Sequence, residues 1–106
     1  MTTDERSVLE DLRRRLTRRL KLHSMSLFGS RARGDADADS DMDVLVVLEG
    51  AADAEAEEYV RLCAWEAGID KGIVVVPVTV SRAEWQDGPL SSSLLALAVE
   101  KEEVAV

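Results

Sequence analysis

One acidic side chain stands at the head of an otherwise apolar strand, and it most constrains how this chain can fold. Met42 to Leu48 is apolar throughout except for Asp43. A short, uninterrupted apolar run of this kind is typical of a central strand that is covered on both faces. A carboxylate that is partly buried there is costly to leave unpaired. The fold must therefore provide Asp43 with a compensating partner.

A second carboxylate two residues earlier indicates what that partner is. Side chains two apart in a strand face the same side at roughly 7 Å, so Asp41 and Asp43 are predicted to project together. Two carboxylates so placed repel each other, and Mg²⁺ prefers such oxygen ligands. The alternative is a chance pair, because Asp35, Asp37 and Asp39 continue the same alternation in a solvated loop.

The segment GSRARG, residues 29–34, closes the preceding strand. Gly29 lets the backbone turn sharply and lets a ligand approach the main chain. Ser30 adds a hydroxyl and an N–H at the predicted start of a helix, where unpaired N–H groups and the helix dipole favour phosphate. Arg31 and Arg33 add two cations to the loop. The alternative is an ordinary strand–turn–helix with solvated arginines.

The two segments together resemble the nucleotidyltransferase superfamily of DNA polymerase beta. A glycine–serine turn is followed ten residues later by SDMD at the head of an apolar strand, and GSRARG…SDMDVLV looks most like the minimal, stand-alone members. The resemblance implies an α/β (α+β) nucleotidyltransferase fold, a small mixed sheet flanked by helices. We expect it to occupy a single domain over residues 1–106.

The resemblance also implies which residues hold a nucleotide. Gly29 and Ser30 would bind the β- and γ-phosphates of a nucleoside triphosphate, which the family resemblance implies is ATP. Arg33 is a candidate phosphate contact, with a salt bridge to the acidic loop as the alternative. Ser40 would order the turn before the strand.

The metal and the chemistry follow from the same resemblance. Asp41 and Asp43 would bind one or two Mg²⁺, and an acceptor hydroxyl would attack the α-phosphorus with pyrophosphate leaving. In the family a third carboxylate on a neighbouring strand completes the site. The matching strand here, 73–80, holds no acid. Asp70, three residues before it, is the candidate, with a turn as its alternative role.

Minimal members of this family often act as antitoxins that adenylylate a HEPN-domain ribonuclease toxin. The resemblance therefore implies a transferase with a HEPN-type toxin as its protein partner. The alternative is a catalytically degenerate module that keeps the fold and binds a partner or a nucleotide without transfer. The missing strand carboxylate favours this second interpretation.

Periodicity and capping signals predict the other elements. Leu9, Leu12, Leu16 and Leu20 form the buried stripe of a first helix, which can begin at either of two capping boxes, Thr2–Glu5 or Ser7–Glu10. The predicted helices cover 4–21, 54–67, a short segment from 81, and 90–99; the predicted strands cover 24–28, 42–48, 73–80 and 104–106. Asp53 is expected to cap the second helix and Gly68 to end it. Pro77 favours an edge strand.

Charge and composition bound the environment. The net charge is −8, with +5 over residues 1–33 and −13 over residues 34–106, so binding to double-stranded nucleic acid is not expected. No apolar run is long enough to span a membrane. Cys63 is the only cysteine, so no internal disulfide forms, and we expect a small buried side chain. These features favour the cytoplasm.

Overall fold

The structure is a computed structural model that describes residues 2–29, 31, 41–86 and 104–105. The order of elements is helix, strand, strand, helix, strand, helix, strand. Their bounds are α1 Thr3–Leu16, β1 Leu22–Phe28, β2 Met42–Leu48, α2 Ala54–Ile69, β3 Val75–Ser81, α3 Arg82–Gln86 and β4 Val104–Ala105. The alternation of helices and strands confirms the predicted α/β class.

Helix α1 begins at the first of the two predicted capping boxes. The Thr2 hydroxyl accepts the Glu5 N–H at 3.1 Å, and the Glu5 carboxylate accepts the Thr2 N–H at 2.8 Å. The prediction of a helix to residue 21 was wrong, because the helix ends at Leu16. The Thr17 hydroxyl donates to the Arg14 carbonyl at 3.1 Å and replaces the backbone donor that the next turn would have supplied.

The described strands form one sheet in the order β3-β2-β1-β4. Strand β2 pairs antiparallel with β1 and parallel with β3, so the sheet is mixed, as predicted. The apolar strand β2 occupies an interior position with the bounds expected from its sequence. Strand β3, which carries Pro77, lies at an edge, where a missing N–H does not interrupt the ladder.

Alternate side chains of β2 contribute to two different clusters. Those at 42, 44, 46 and 48 face α1 and α2 and join Leu9, Leu12 and Leu16, all 2% exposed or less, in the main core. Leu45 and Val47 face the other way and form a smaller cluster with Val80. Full burial of one such apolar side chain stabilises the fold by about 1.5–3 kcal/mol. Both faces of β2 are therefore covered, and Asp43 lies on the same face as Leu45 and Val47.

Helix α2 begins as predicted, because the Asp53 carboxylate accepts the Ala56 N–H at 2.9 Å. Its predicted end at Gly68 was wrong. The helix continues to Ile69, and Gly68 is a buried residue within its last turn. The chain then reverses at Gly72, whose φ of +66° is the left-handed conformation that glycine adopts freely.

The predicted capping box at the start of the short helix α3 is confirmed. The Ser81 hydroxyl accepts the Glu84 N–H at 3.1 Å, and the Glu84 carboxylate accepts the Ser81 N–H at 3.1 Å. The terminal strand is present at Val104–Ala105 beside β1, whereas the helix predicted over 90–99 lies outside the described residues. No helix within the described segments is long and apolar enough to cross a bilayer.

We predict that Gly68→Ala destabilises the protein although alanine is the better helix former. A Cβ at this position would collide with the Ile73 carbonyl oxygen, which is backbone and cannot move aside cheaply. The free energy of unfolding should fall by about 1–3 kcal/mol, as measured by urea unfolding. Gly50→Ala is the control, because its Cβ would meet nothing within 4 Å. Equal stability of the two variants would contradict the prediction.

Candidate active site at the head of the central strand

The turn after β1 lies directly against the carboxylate of Asp43. The antiparallel register pairs Phe28 with Asp43, so Gly29 follows at the same end of the sheet. Gly29 has φ +79°, and a Cβ placed there would lie 2.5 Å from Asp43 Oδ2. Only glycine satisfies both conditions without a shift of the surroundings. The two sequence motifs therefore meet in space at this point.

Asp41 and Asp43 precede Leu45 and Val47 at two-residue intervals, so the strand pleat directs them toward the face opposite α1 and α2. Asp41 is exposed just before β2, and Asp43 is half-buried as its second residue. The two carboxylates lie at the end of the sheet where β2 begins and the Gly29 turn follows β1.

The donor set at this position fits a Mg²⁺ that is shared with phosphate. No group of three or more His, Cys, Asp or Glu residues within the described segments is arranged to hold a metal ion. Mg²⁺ is commonly bound by one or two carboxylates and completes its shell with substrate phosphates and water. Asp41 and Asp43 match that incomplete set and do not match an all-protein cage.

A valine occupies the position beside Asp43 on the neighbouring strand. The parallel register pairs Asp43 with Val76, and side chains of paired residues lie on the same face. The β3 residues on this face are Val76, Val78 and Val80, so the neighbouring strand contributes no acid there.

The structure does not bring Asp70 to this face. Asp70 is the exposed C-cap of α2 and lines a surface cleft with Ser7, Glu10 and Arg14 of α1. That cleft belongs to the helical layer, on the other side of the sheet from Asp43. This placement does not support the prediction that Asp70 supplies the third carboxylate.

Arg31 forms an ion pair that the sequence did not reveal. Its Nη1 donates to Glu5 Oε2 at 2.9 Å, and the side chains of Arg31 and Glu5 are 8% and 6% exposed. The Arg31 guanidinium therefore points toward the first turn of α1. The capping signal at Glu5 was visible in the sequence, but a partner 26 residues away was not.

The remaining predicted nucleotide-binding residues, Ser30, Arg33 and Ser40, lie outside the described residues. Cys63 is buried as expected, and burial raises the pKa of its thiol. A protonated, buried thiol is a packing residue and a poor nucleophile.

The chain matches the family model described as the nucleotidyltransferase domain over residues 9–94, which is most of its length. None of the curated proteins matches it.

Solved structures with the same fold include two toxin–antitoxin proteins. One, a toxin–antitoxin with AMP-PNP, is 20% identical with a TM-score of 0.63, and the match covers 98% of this chain and 72% of that one. A mutant of the toxin–antitoxin MntA-HpeT is 18% identical with a TM-score of 0.59 and the same coverage. A putative nucleotidyltransferase from Sulfolobus solfataricus is 20% identical with a TM-score of 0.52, over 99% of this chain and 86% of that one.

We predict that Gly29→Ala is more destabilising than Gly72→Ala. Both glycines have positive φ, and alanine in that conformation costs about 1–2 kcal/mol. A Cβ at Gly72 would meet nothing within 4 Å, whereas one at Gly29 would press on Asp43. The atom it would press on is the end of a side chain that can rotate, so the free energy of unfolding of Gly29→Ala should be lower by about a further 0.5–1.5 kcal/mol. Equal losses in urea unfolding would show that the turn does not contact the carboxylate.

Proposed function

Because this chain belongs to the nucleotidyltransferase domain family, we propose that it is a Mg²⁺-dependent enzyme that transfers AMP from ATP to a hydroxyl acceptor. The observation that carries the proposal is the close approach of Gly29 to the Asp43 carboxylate. That approach brings a glycine turn and a carboxylate to one end of one strand pair, which supports a phosphate contact beside a cation. A triphosphate and its cation need both in the same place.

Each residue of the site has a proposed role. Gly29 and Ser30 bind the β- and γ-phosphates, and Arg33 contacts the phosphates from the same loop. Ser40 orders the turn that leads into β2. Asp41 and Asp43 hold Mg²⁺, which, when bound, supplies positive charge against the phosphate oxygens. These assignments rest on the family and on the position of Gly29 against Asp43.

In the proposed reaction the acceptor oxygen forms a bond to the α-phosphorus, and the bond from that phosphorus to pyrophosphate breaks. The acceptor proton leaves to water or to a carboxylate of the acceptor protein, since Val76 stands where a third acid would be needed. A positioned base contributes typically 10²–10⁴-fold to such a step. We therefore expect slow transfer by this chain alone.

The proposed acceptor is a hydroxyl of a HEPN-type toxin, which would make this chain an antitoxin. The shared fold with toxin–antitoxin proteins supports this role. A surface suited to a protein partner is formed at the end of α2 and just before β3 by apolar side chains that are 51–63% exposed and line one cleft: Trp65, Ile69 and Val74. Exposed apolar groups that lie together commonly mark protein interfaces. The proposal also takes residues 1–106 as one domain that acts in the cytoplasm.

Isothermal titration of ATP with Mg²⁺ tests the nucleotide site. We predict binding that needs Mg²⁺ and that weakens roughly tenfold or more in the Asp41→Asn/Asp43→Asn double variant, because both metal-binding carboxylates are lost. Asp53→Asn is the control, since asparagine caps a helix as well as aspartate does. Unchanged affinity in the double variant, or no binding by the wild type, would contradict the proposed site.

A second candidate function is a non-catalytic module that binds a protein partner, and Val76 beside Asp43 favours it specifically. The two candidates differ in whether label from α-phosphate-labelled ATP reaches a HEPN-type toxin. The enzyme transfers label, whereas the binding module holds the toxin without labelling it.

We predict that Val76→Asp raises the rate of label transfer by about tenfold or more, because it introduces an acid beside Asp43. Thr79→Asp is the control, since it adds the same charge to the opposite face of the same strand. If toxin binds but neither wild type nor Val76→Asp transfers label, the binding module is correct and the enzyme is not.

A further inference from the structure

A buried ion pair joins the start of α1 to Arg31, two positions after Gly29. Arg31 Nη1 and Glu5 Oε2 are 2.9 Å apart, and both side chains are less than a tenth exposed. Charged side chains are rarely this buried without a partner. Removing one member of such a pair is strongly destabilising, because the other charge remains buried.

The Glu5 carboxylate uses both oxygens. Oε1 accepts the Thr2 N–H at 2.8 Å, while Oε2 accepts from Arg31. Burial raises the pKa of Glu5, but the hydrogen bonds from the Thr2 N–H and the Arg31 guanidinium together lower it by more, so the net shift of the pKa is downward. The carboxylate is therefore ionised at neutral pH, and the pair is lost only as the pH falls through this lowered value.

Arg31 is also close in the chain to the site. Only one residue separates it from Gly29, so the two Cα atoms are at most roughly 7 Å apart. Gly29 itself lies close to Asp43, since a Cβ built on it would be 2.5 Å from Asp43 Oδ2. A restraint on Arg31 is thus a restraint on the turn that the phosphates would contact.

We infer that Glu5 is a positioning residue for the nucleotide site: it holds Arg31, two positions after Gly29, against the first turn of α1. The inference rests on the proposed function for the ligand, but the restraint itself is independent of it. A buried ion pair is weak evidence for stability alone, and a fixed geometry is its better-supported use. Glu5 therefore acts on phosphate binding without touching the nucleotide.

Two variants separate positioning from simple helix capping. Glu5→Gln keeps the length of the side chain and an oxygen for the Thr2 N–H, but it removes the counter-charge of Arg31. Thr2→Ala removes the hydroxyl that caps α1 and leaves the Glu5–Arg31 contact in place. Both should lower the melting temperature, because each weakens the first turn of α1.

The test compares hydrogen exchange and ligand binding in the two variants. In Glu5→Gln we expect exchange in peptides that cover residues 29–34 to rise about tenfold or more, and the affinity for ATP with Mg²⁺ to fall by a similar factor. In Thr2→Ala both quantities should stay within about twofold of the wild type. Glu5→Asp keeps the charge but moves it one methylene away from Arg31, so its exchange and its ATP affinity should lie between those of the wild type and Glu5→Gln. It replaces Glu5→Gln in the comparison if that variant does not fold.

The outcomes distinguish this inference from the proposed function. Equal exchange of residues 29–34 in Glu5→Gln and Thr2→Ala overturns the positioning role, whatever the affinity for ATP. Faster exchange confined to the Glu5 variants, in a protein that binds no ATP, keeps the positioning role and overturns the proposed function. Faster exchange and weaker binding together support both.

Discussion

The antiparallel register that sets Phe28 opposite Asp43 is the constraint on which the rest of the site depends. It brings the end of β1 beside the beginning of β2, so the Gly29 turn and the carboxylate meet although residues 30–42 separate them in sequence. Gly29 can stand there only because it has no side chain. The apolar side chains of β2, covered on both faces, make this register costly to shift, because a slip of one residue would exchange the two faces.

The same geometry brings two carboxylates toward the Gly29 turn and leaves the site without a third acid on β3. Two carboxylates and a main-chain turn are enough to bind a cation together with a triphosphate. Strand β3 runs parallel to β2 and could present a third acid, but it presents Val76. An exposed apolar surface adjoins that strand and suits a protein partner. The described strands therefore supply carboxylates for the proposed ligand but no third acid beside Asp43 to accept the proton of the acceptor.

Local signals in the sequence predicted the parts of this fold that local interactions decide. The bounds of β2 follow from a run that is apolar apart from Asp43. The caps at Thr2 and Ser81 follow from capping boxes, and the cap at Asp53 follows from one N-cap side chain. The end of α1 was missed because the Thr17 hydroxyl competes with the backbone for a carbonyl. The Glu5–Arg31 pair was missed because its partners are far apart in sequence. Asp70 was misplaced because chain distance to β3 does not reveal which side of the sheet a residue occupies.

The central claim is that a metal-bound nucleotide lies at Gly29 and Asp43. Paramagnetic broadening of backbone amide resonances during titration with Mn²⁺ and ATP tests it most directly, because broadening falls off with distance from the ion. We expect the amides of Gly29, Asp43 and Val76 to broaden first, while those of Asp70 and Ser7, on the helical side, stay sharp. Broadening centred on Asp70 and Ser7, or no selective broadening in the presence of ATP, would contradict it.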